Sequence, residues 1–152
     1  MARAILQEYY GLRLKVTKLM KQNGVSILAA TDLGGGHVIP GFSLRQEFKE
    51  LAAAGLTPLE VLQATTLNAA RFLNRESSMG AVEIGKNADR VLLDANPMES
   101  VANLDRIFAV VNKGRYLARS ALDNILADVA AAYAALPQEQ DLTKAYDPHH
   151  VD

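Results

Sequence analysis

Asp32 is the residue in this sequence best placed to do chemistry. It directly follows residues 25–31, VSILAAT, a short and almost continuously apolar run. Such a run reads as a strand buried on both faces, as in a parallel sheet. A carboxylate at the carboxyl end of such a strand stands where barrels and open α/β sheets bind ligands. There it can ligate a divalent metal and accept a proton from metal-bound water. An Asp in this position is also a common cap for a turn or for the next helix, and Asp32 alone does not separate the two. Gly34, Gly35, Gly36 and His37 follow it and are candidates for a substrate-facing loop. Glycines let the backbone pass close to a ligand, and His37 either touches that ligand or faces solvent. Residues 36–43, GHVIPGFS, nearly fit a phosphate-binding loop. Phe42 stands where the phosphate-reaching Lys belongs, and Pro40 removes an amide donor, so nucleotide binding is not expected. His149 and His150 are neighbours in a polar tail. Adjacent residues do not share a helix face, and they are read as having no metal role. The sequence has no nucleophile elbow, HExxH or CxxC.

The elements that must position Asp32 can be read from pattern. Ile5, Tyr9, Leu12, Val16 and Leu19 recur at three- and four-residue steps and predict a helix, which Asn23-Gly24 ends. Gly11 weakens that helix by about 1 kcal/mol. Ser43-Leu44-Arg45-Gln46 is a capping-box pattern opening a helix that Gly55 closes. Thr57-Pro58-Leu59-Glu60 is a second, with Pro at the first helical position. Residues 69–73 continue as a further turn or two of helix. From Ser77 the texture changes to short strand-like pieces, at 81–84 and at 90–93. Residues 107–111 and 115–117 flank Asn112-Lys113-Gly114, a hairpin signal. Ser120 is expected to cap a last helix whose stripe is Leu122, Ile125, Leu126, Val129, Tyr133 and Leu136. Pro137 ends it, and residues 138–152 read as a polar, frayed tail.

Composition narrows the function classes. The chain has 152 residues, 49% hydrophobic and 22% charged, with a net charge of −1. These are the proportions of a globular protein with one core. The balanced charge argues against a nucleic-acid partner. No run approaches the ~18 apolar residues of a membrane span. The start, with Glu8 and no cleavage-like site, does not read as a signal peptide. There is no cysteine, which excludes disulfides, thiolate metal sites and a cysteine nucleophile. A cytoplasmic location is compatible with that.

Taken in order, the motifs become specific. They are Gly24-Val25, Ala30-Thr31-Asp32, Pro40-Gly41-Phe42-Ser43, Ala54-Gly55-Leu56-Thr57-Pro58, Ala64-Thr65-Thr66-Leu67-Asn68-Ala69-Ala70, Met79-Gly80, Ile84-Gly85-Lys86-Asn87-Ala88-Asp89 and Asp94-Ala95-Asn96-Pro97. From about residue 20 to about residue 120, this order resembles the carboxyl-terminal part of the metal-dependent amidohydrolase superfamily. The nearest likeness is to the imidazolonepropionase and dipeptidase-like branch. The resemblance implies an α/β fold: the last β/α unit of a (β/α)8 barrel plus the carboxyl-terminal strands of a small β-sandwich. Residues 25–31 correspond to the eighth barrel strand, and residues 1–22 to the helix before it. Residues 1–76 would be the barrel segment, 77–119 the sandwich segment, 120–137 the last helix and 138–152 the tail. Asp32 corresponds to the Asp that serves the family as metal ligand and proton shuttle. The parent reaction would be metal-assisted hydrolysis of an amide, cyclic amide or dipeptide C–N bond in a small-molecule substrate. A divalent metal, with zinc best suited, would be the cofactor of the complete enzyme.

The sequence also departs from the family pattern. Ala30 stands where Gly usually precedes the Thr-Asp pair, Arg45 where a His is common, and Arg90 where a Leu is common. A complete barrel takes ~250 residues. The family's His-x-His pair, bridging Lys or Glu and further His ligands have no counterpart, since no His precedes His37. The barrel is therefore expected to be incomplete, the chain inactive by itself, and a metal not stably held by it. A single barrel strand cannot pair both its edges within this chain, and its flanking helices expose apolar stripes. A homo-oligomer or a complementary barrel polypeptide is the expected partner. A non-catalytic oligomerising or interaction module derived from the fold is the alternative.

Overall fold

The computed structural model describes residues 2–33 and 38–135. It opens on α1, Ala2–Gln22, and the Asn23-Gly24 stop works as expected. Gly24 takes φ +75°. Its N–H bonds the Lys21 carbonyl at 3.0 Å, and the Val25 N–H bonds the Met20 carbonyl at 3.0 Å. This pair of bonds is a Schellman closure, which only a residue at ease with positive φ completes cheaply. The inward face of α1 is formed by Gly11, Leu14, Thr17 and Lys21, all half-buried. The longer apolar stripe that marks the helix in the sequence, Ile5 to Leu19, points to solvent.

Residues 25–31, expected as a buried parallel strand, form no ladder with another described segment of this chain. Ile27, Ala29 and Thr31 are half-buried and alternate with exposed Ser26, Leu28 and Ala30. That alternation is an extended chain with one face on a core. A parallel strand needs at least one neighbouring strand to pair with, and no other described segment lies beside it as a strand.

Next come α2, Ser43–Ala53, α3, Pro58–Thr65, and α4, Leu67–Phe72. The Thr57 capping box is present in full: the Glu60 N–H donates to Thr57 Oγ1 at 3.3 Å, and the Thr57 N–H donates to Glu60 Oε2 at 2.7 Å. The Ser43 box is not. Phe42 is the N-cap of α2, without a side-chain bond. Ser43 Oγ instead accepts from the Ile39 N–H at 2.8 Å, and Gln46 turns to Glu50. The Pro40-Gly41 turn, with Gly41 at φ +77°, starts the helix one residue early and takes the hydroxyl backwards. α2 closes as α1 does, with Leu56 N–H on the Leu51 carbonyl at 3.1 Å. The core gathers here: Phe48, Leu51, Ala54, Leu56, Val61 and Ala64, with Leu14, Ile27, Ala29, Leu44, Val101 and Leu104 against it.

The carboxyl half holds a three-stranded antiparallel sheet in the order β1, Arg90–Leu93, β2, Ile107–Asn112, and β3, Arg115–Ala118. β1 and β2 pair Arg90 with Val111 through Leu92 with Ala109, then slip between Leu92 and Leu93. Lys113 and Gly114 turn the hairpin at φ +50° and +79°, the two positive values of a type I′ turn. Asp89 Oδ1 accepts from the Lys113 N–H at 2.6 Å and offsets the cost of a Lys there. A 3-10 turn, Val101–Asp105, lies beside α2, where Asp105 meets Lys49 at 3.0 Å and Arg45 at 3.6 Å. Residues 81–84 are not a strand; they run exposed, with Ile84 fully in solvent and no described strand beside them.

A second compact unit starts at Ala118, and its described part is α5, Arg119–Ala134. Ala118, not Ser120, is its N-cap, and no side chain caps it. Ser120 lies within the first turn, and Arg119 pairs with Asp123 at 2.7 Å. Ile125, Leu126, Val129 and Tyr133 of the expected stripe are exposed; Leu136 lies outside the described residues. Among the described residues no helix is long and apolar enough to cross a membrane.

Candidate functional site

The extended segment 25–31 is held to the helices by two bonds from α3 and α4. The Ala29 N–H donates to the Ala64 carbonyl at 3.1 Å. Asn68 Nδ2 donates to the Ile27 carbonyl at 3.0 Å. A helix-borne carboxamide thus takes the place that a neighbouring strand would fill. Sequence reasoning did not single out Asn68. The available signal was an Asn inside a helix, where its side chain competes with the backbone unless it has a partner elsewhere.

Asp32 sits where this segment leaves the helices. Its φ is +50°, in the left-handed region. Non-glycine residues enter that region at a cost, and Asp is among those that tolerate it. The side chain is exposed and makes no hydrogen bond or ion pair with a described residue. The carboxylate is presented to solvent. Gly34, Gly35, Gly36 and His37 lie outside the described residues, as do His149 and His150.

The fit to a metal can be tested on the donor set. Among the described residues no three of His, Cys, Asp or Glu converge. Asp32 is one oxygen donor where a catalytic zinc takes three protein ligands. The described residues do not make a metal site.

At the other end of the segment lies an open cleft of about 170 Å³, lined among others by Lys21, Val25, Glu60, Gln63 and Asn68. Asp32 is not part of it. Lys21 Nζ pairs with Glu60 Oε2 at 2.8 Å and donates to the Gly55 carbonyl at 3.0 Å. The Lys21 ammonium, with the Thr57 N–H and hydroxyl, pulls the Glu60 carboxyl down from 4.5 to about 2. These groups satisfy one another, and the arrangement is a tie between α1 and α3. Further along α1, the Tyr10 hydroxyl donates to Glu50 Oε2 at 2.6 Å, and that bond raises the Tyr10 pKa. Glu47 is pushed up chiefly by burial and next by the Glu50 charge.

Arg45, at the position where the related pattern often has His, points to Asp105 and stacks on Phe42 with its guanidinium carbon 4.8 Å from the ring centre. It does not join Asp32. Met79-Gly80 is explained by packing: a Cβ on Gly80 would stand 2.7 Å from the Ala70 Cβ, and φ there is +95°.

Comparison with known proteins gives the lineage of this arrangement. Residues 13–117 match the amidohydrolase family. The chain is 41% identical over 69 residues to the imidazolonepropionase of Geobacillus sp. (strain WCH70), covering 43% of this chain and 16% of that protein. It is 35% identical over 95 residues to the imidazolonepropionase of Fusobacterium nucleatum, covering 61% of this chain and 22% of that protein. Among solved structures it resembles a Xaa-Pro dipeptidase with bound methionine in the active site, at 26% identity and a TM-score of 0.62, covering 69% of this chain and 25% of that one. The chain spans less than a quarter of the length of these two curated relatives.

Proposed function

The chain belongs to the amidohydrolase family, and on that premise we propose that it is the carboxyl-terminal part of a metal-dependent hydrolase acting on C–N bonds. The bonds are those of amides, cyclic amides or dipeptides in small molecules. In this reading, residues 25–31 are the last strand of a (β/α)8 barrel, α2 to α4 its closing helices, and β1–β3 part of the small sandwich. The names of the relatives, imidazolonepropionase and Xaa-Pro dipeptidase, agree with that substrate class. A cytoplasmic setting goes with it.

One observation carries the reading. Inside the matched segment, an extended piece clamped on one face to helices ends in an exposed, left-handed Asp32 whose carboxylate has no described structural partner. Asp32 is the site residue: it holds or moves a proton at a carboxylate oxygen, and it is the donor that the family pattern assigns toward a divalent metal. Gly34, Gly35, Gly36 and His37 are the loop beside the substrate. The family generally uses a divalent metal, with zinc the best chemical match here. In this reading the remaining donors lie in another polypeptide or in a part of the same protein outside this chain, and the chain alone is inactive. The long exposed stripe of α1 favours a second reading, a non-catalytic oligomerising module.

The test is turnover of dipeptides, lactams and imidazolones with zinc, cobalt or manganese. The chain alone should be inactive. Activity should appear when a polypeptide carrying the His-x-His strand and the other ligands is supplied. Asp32→Asn should then lower it by about 10²–10⁴. Metal-dependent turnover by the chain alone, abolished by Asp32→Asn, overturns the incompleteness. Activity in the assembled enzyme that Asp32→Asn leaves intact overturns the role of Asp32.

A further inference from the structure

The segment 25–31 is held sideways by packing and lengthwise by hydrogen bonds. Ile27 and Ala29 lie against the core. Apolar contacts of that kind are non-directional, so they fix the depth of the segment and tolerate a slide along its axis. Hydrogen bonds do not, because an N–H···O bond weakens steeply as its length and angle are strained. To described residues, residues 26–33 make two such bonds. The Ala29 N–H donates to the Ala64 carbonyl at 3.1 Å, and Asn68 Nδ2 donates to the Ile27 carbonyl at 3.0 Å. In an extended chain, the carbonyl of one residue and the N–H of the residue two further on point to the same edge. Ile27 and Ala29 are such a pair. The helices therefore grip a single edge on both sides of Leu28, as one residue of a parallel partner strand would.

Both bonds come from the break between α3 and α4. Thr66, at φ −123° and ψ −82°, separates the two helices. Ala64 is among the last four carbonyls of α3, which have no partner within that helix. Asn68 is the second residue of α4 and half-buried. The Ala64 bond is backbone to backbone and any residue there could offer it. The Asn68 bond is the one that a side chain decides.

Asp32 lies three residues beyond Ala29. Its φ of +50° is a backbone state that persists only where the surrounding structure fixes it. Its own side chain has no partner among the described residues to do so. We infer that Asn68 is a positioning residue for Asp32: its bond to the Ile27 carbonyl fixes where along its axis the segment lies, and with it where the Asp32 carboxylate stands. That role rests on Asp32 being the site residue, as proposed above. A reacting group needs placement to within about 0.5 Å, and a misplacement of about 1 Å costs on the order of 10² in rate.

The experiment is solution NMR of the whole chain and needs no turnover. In the unsubstituted chain the amide order parameter of Asp32 should be about 0.85, that of rigid backbone. Its HN–Hα coupling and Cα shift should be those of a left-handed residue. Asn68→Ala removes the donor. Asn68→Asp keeps the shape and sets an acceptor against the Ile27 carbonyl. Both should lower the Asp32 order parameter to below about 0.6 and move its coupling and Cα shift off the left-handed values. Exchange of the Ala29 amide should quicken roughly fivefold, the worth of one net hydrogen bond. Asn68→Gln carries the donor one methylene further out. It should move the Asp32 Cα shift in the same direction, and it is the variant to read if the other two do not fold. Asn103→Ala is the control for general loosening. It removes a carboxamide bond of the same kind, to the Asn96 carbonyl at 2.8 Å, and should leave every Asp32 signal in place. An Asp32 that is flexible in the unsubstituted chain, that the Asn68 variants leave unmoved, or that Asn103→Ala moves equally overturns the proposal. Such a result leaves the hydrolase reading standing, and an assembled enzyme without turnover leaves the link from Asn68 to Asp32 standing, so the two failures are told apart.

Discussion

Glu60→Gln isolates the tie between α1 and α3. The glutamate Oε2 takes the Lys21 ammonium at 2.8 Å, the Thr57 N–H at 2.7 Å and the Thr57 hydroxyl at 2.8 Å. Gln keeps the shape and can still accept from Thr57, but it loses the charge. A carboxyl drawn from 4.5 to about 2 corresponds to roughly 3 kcal/mol if the whole shift reports folding. Glu60 is 36% exposed and Lys21 29%, so solvent screens the pair and about 1 kcal/mol is the realistic share. The sign follows from the direction of the shift. A carboxyl lowered by folding stabilises fully above its unfolded value near 4.5, and that stabilisation is lost as pH falls toward 2. Urea or thermal melts of both proteins at pH 7, 5, 4, 3 and 2 should therefore show Glu60→Gln less stable by about 1 kcal/mol at pH 7. The difference should shrink below pH 4.5 and nearly vanish at pH 2. Salt at about 1 M should reduce it at pH 7. A difference that stays constant across this range, or is zero at pH 7, would refute the electrostatic tie.

Gly80→Ala should destabilise by about 2 kcal/mol or more, read as a lowered denaturant midpoint, because the new Cβ collides with Ala70 at a positive φ. Asn68→Ala should cost about 1 kcal/mol and speed amide exchange at Ala29 more than in α2, since the Ile27 carbonyl loses its anchor. Asp32→Asn should stay within about 0.5 kcal/mol in a melt, as Asn tolerates the same backbone and no partner among the described residues is lost. Asp32→Val should lose about 1–3 kcal/mol from backbone strain alone.

What the sequence determined by itself was short-range. The Asn23-Gly24 and Ala54-Gly55 helix stops, the Thr57–Glu60 cap and the Lys113-Gly114 hairpin turn all depend on groups within about six residues of one another, whose types state the backbone they need. The family likeness was legible for the same reason, since it is a string of such signals in order, and residues 13–117 carry it. Asp32 was legible as a candidate because of the apolar run before it. The tertiary structure decided the rest. Residues 25–31 have the composition of a buried strand, yet ladder bonds come from other segments, and none of the described segments provides them. Ser43 has a capping-box sequence, but the Pro40-Gly41 turn sends its hydroxyl to Ile39. The strongest apolar stripe of α1 was visible as periodicity. Which face turns inward was settled by Leu14, Tyr10 and Lys21 finding partners on α2, Gly55 and α3, because a helix docks on the face that meets complementary groups, and periodicity does not say where those are.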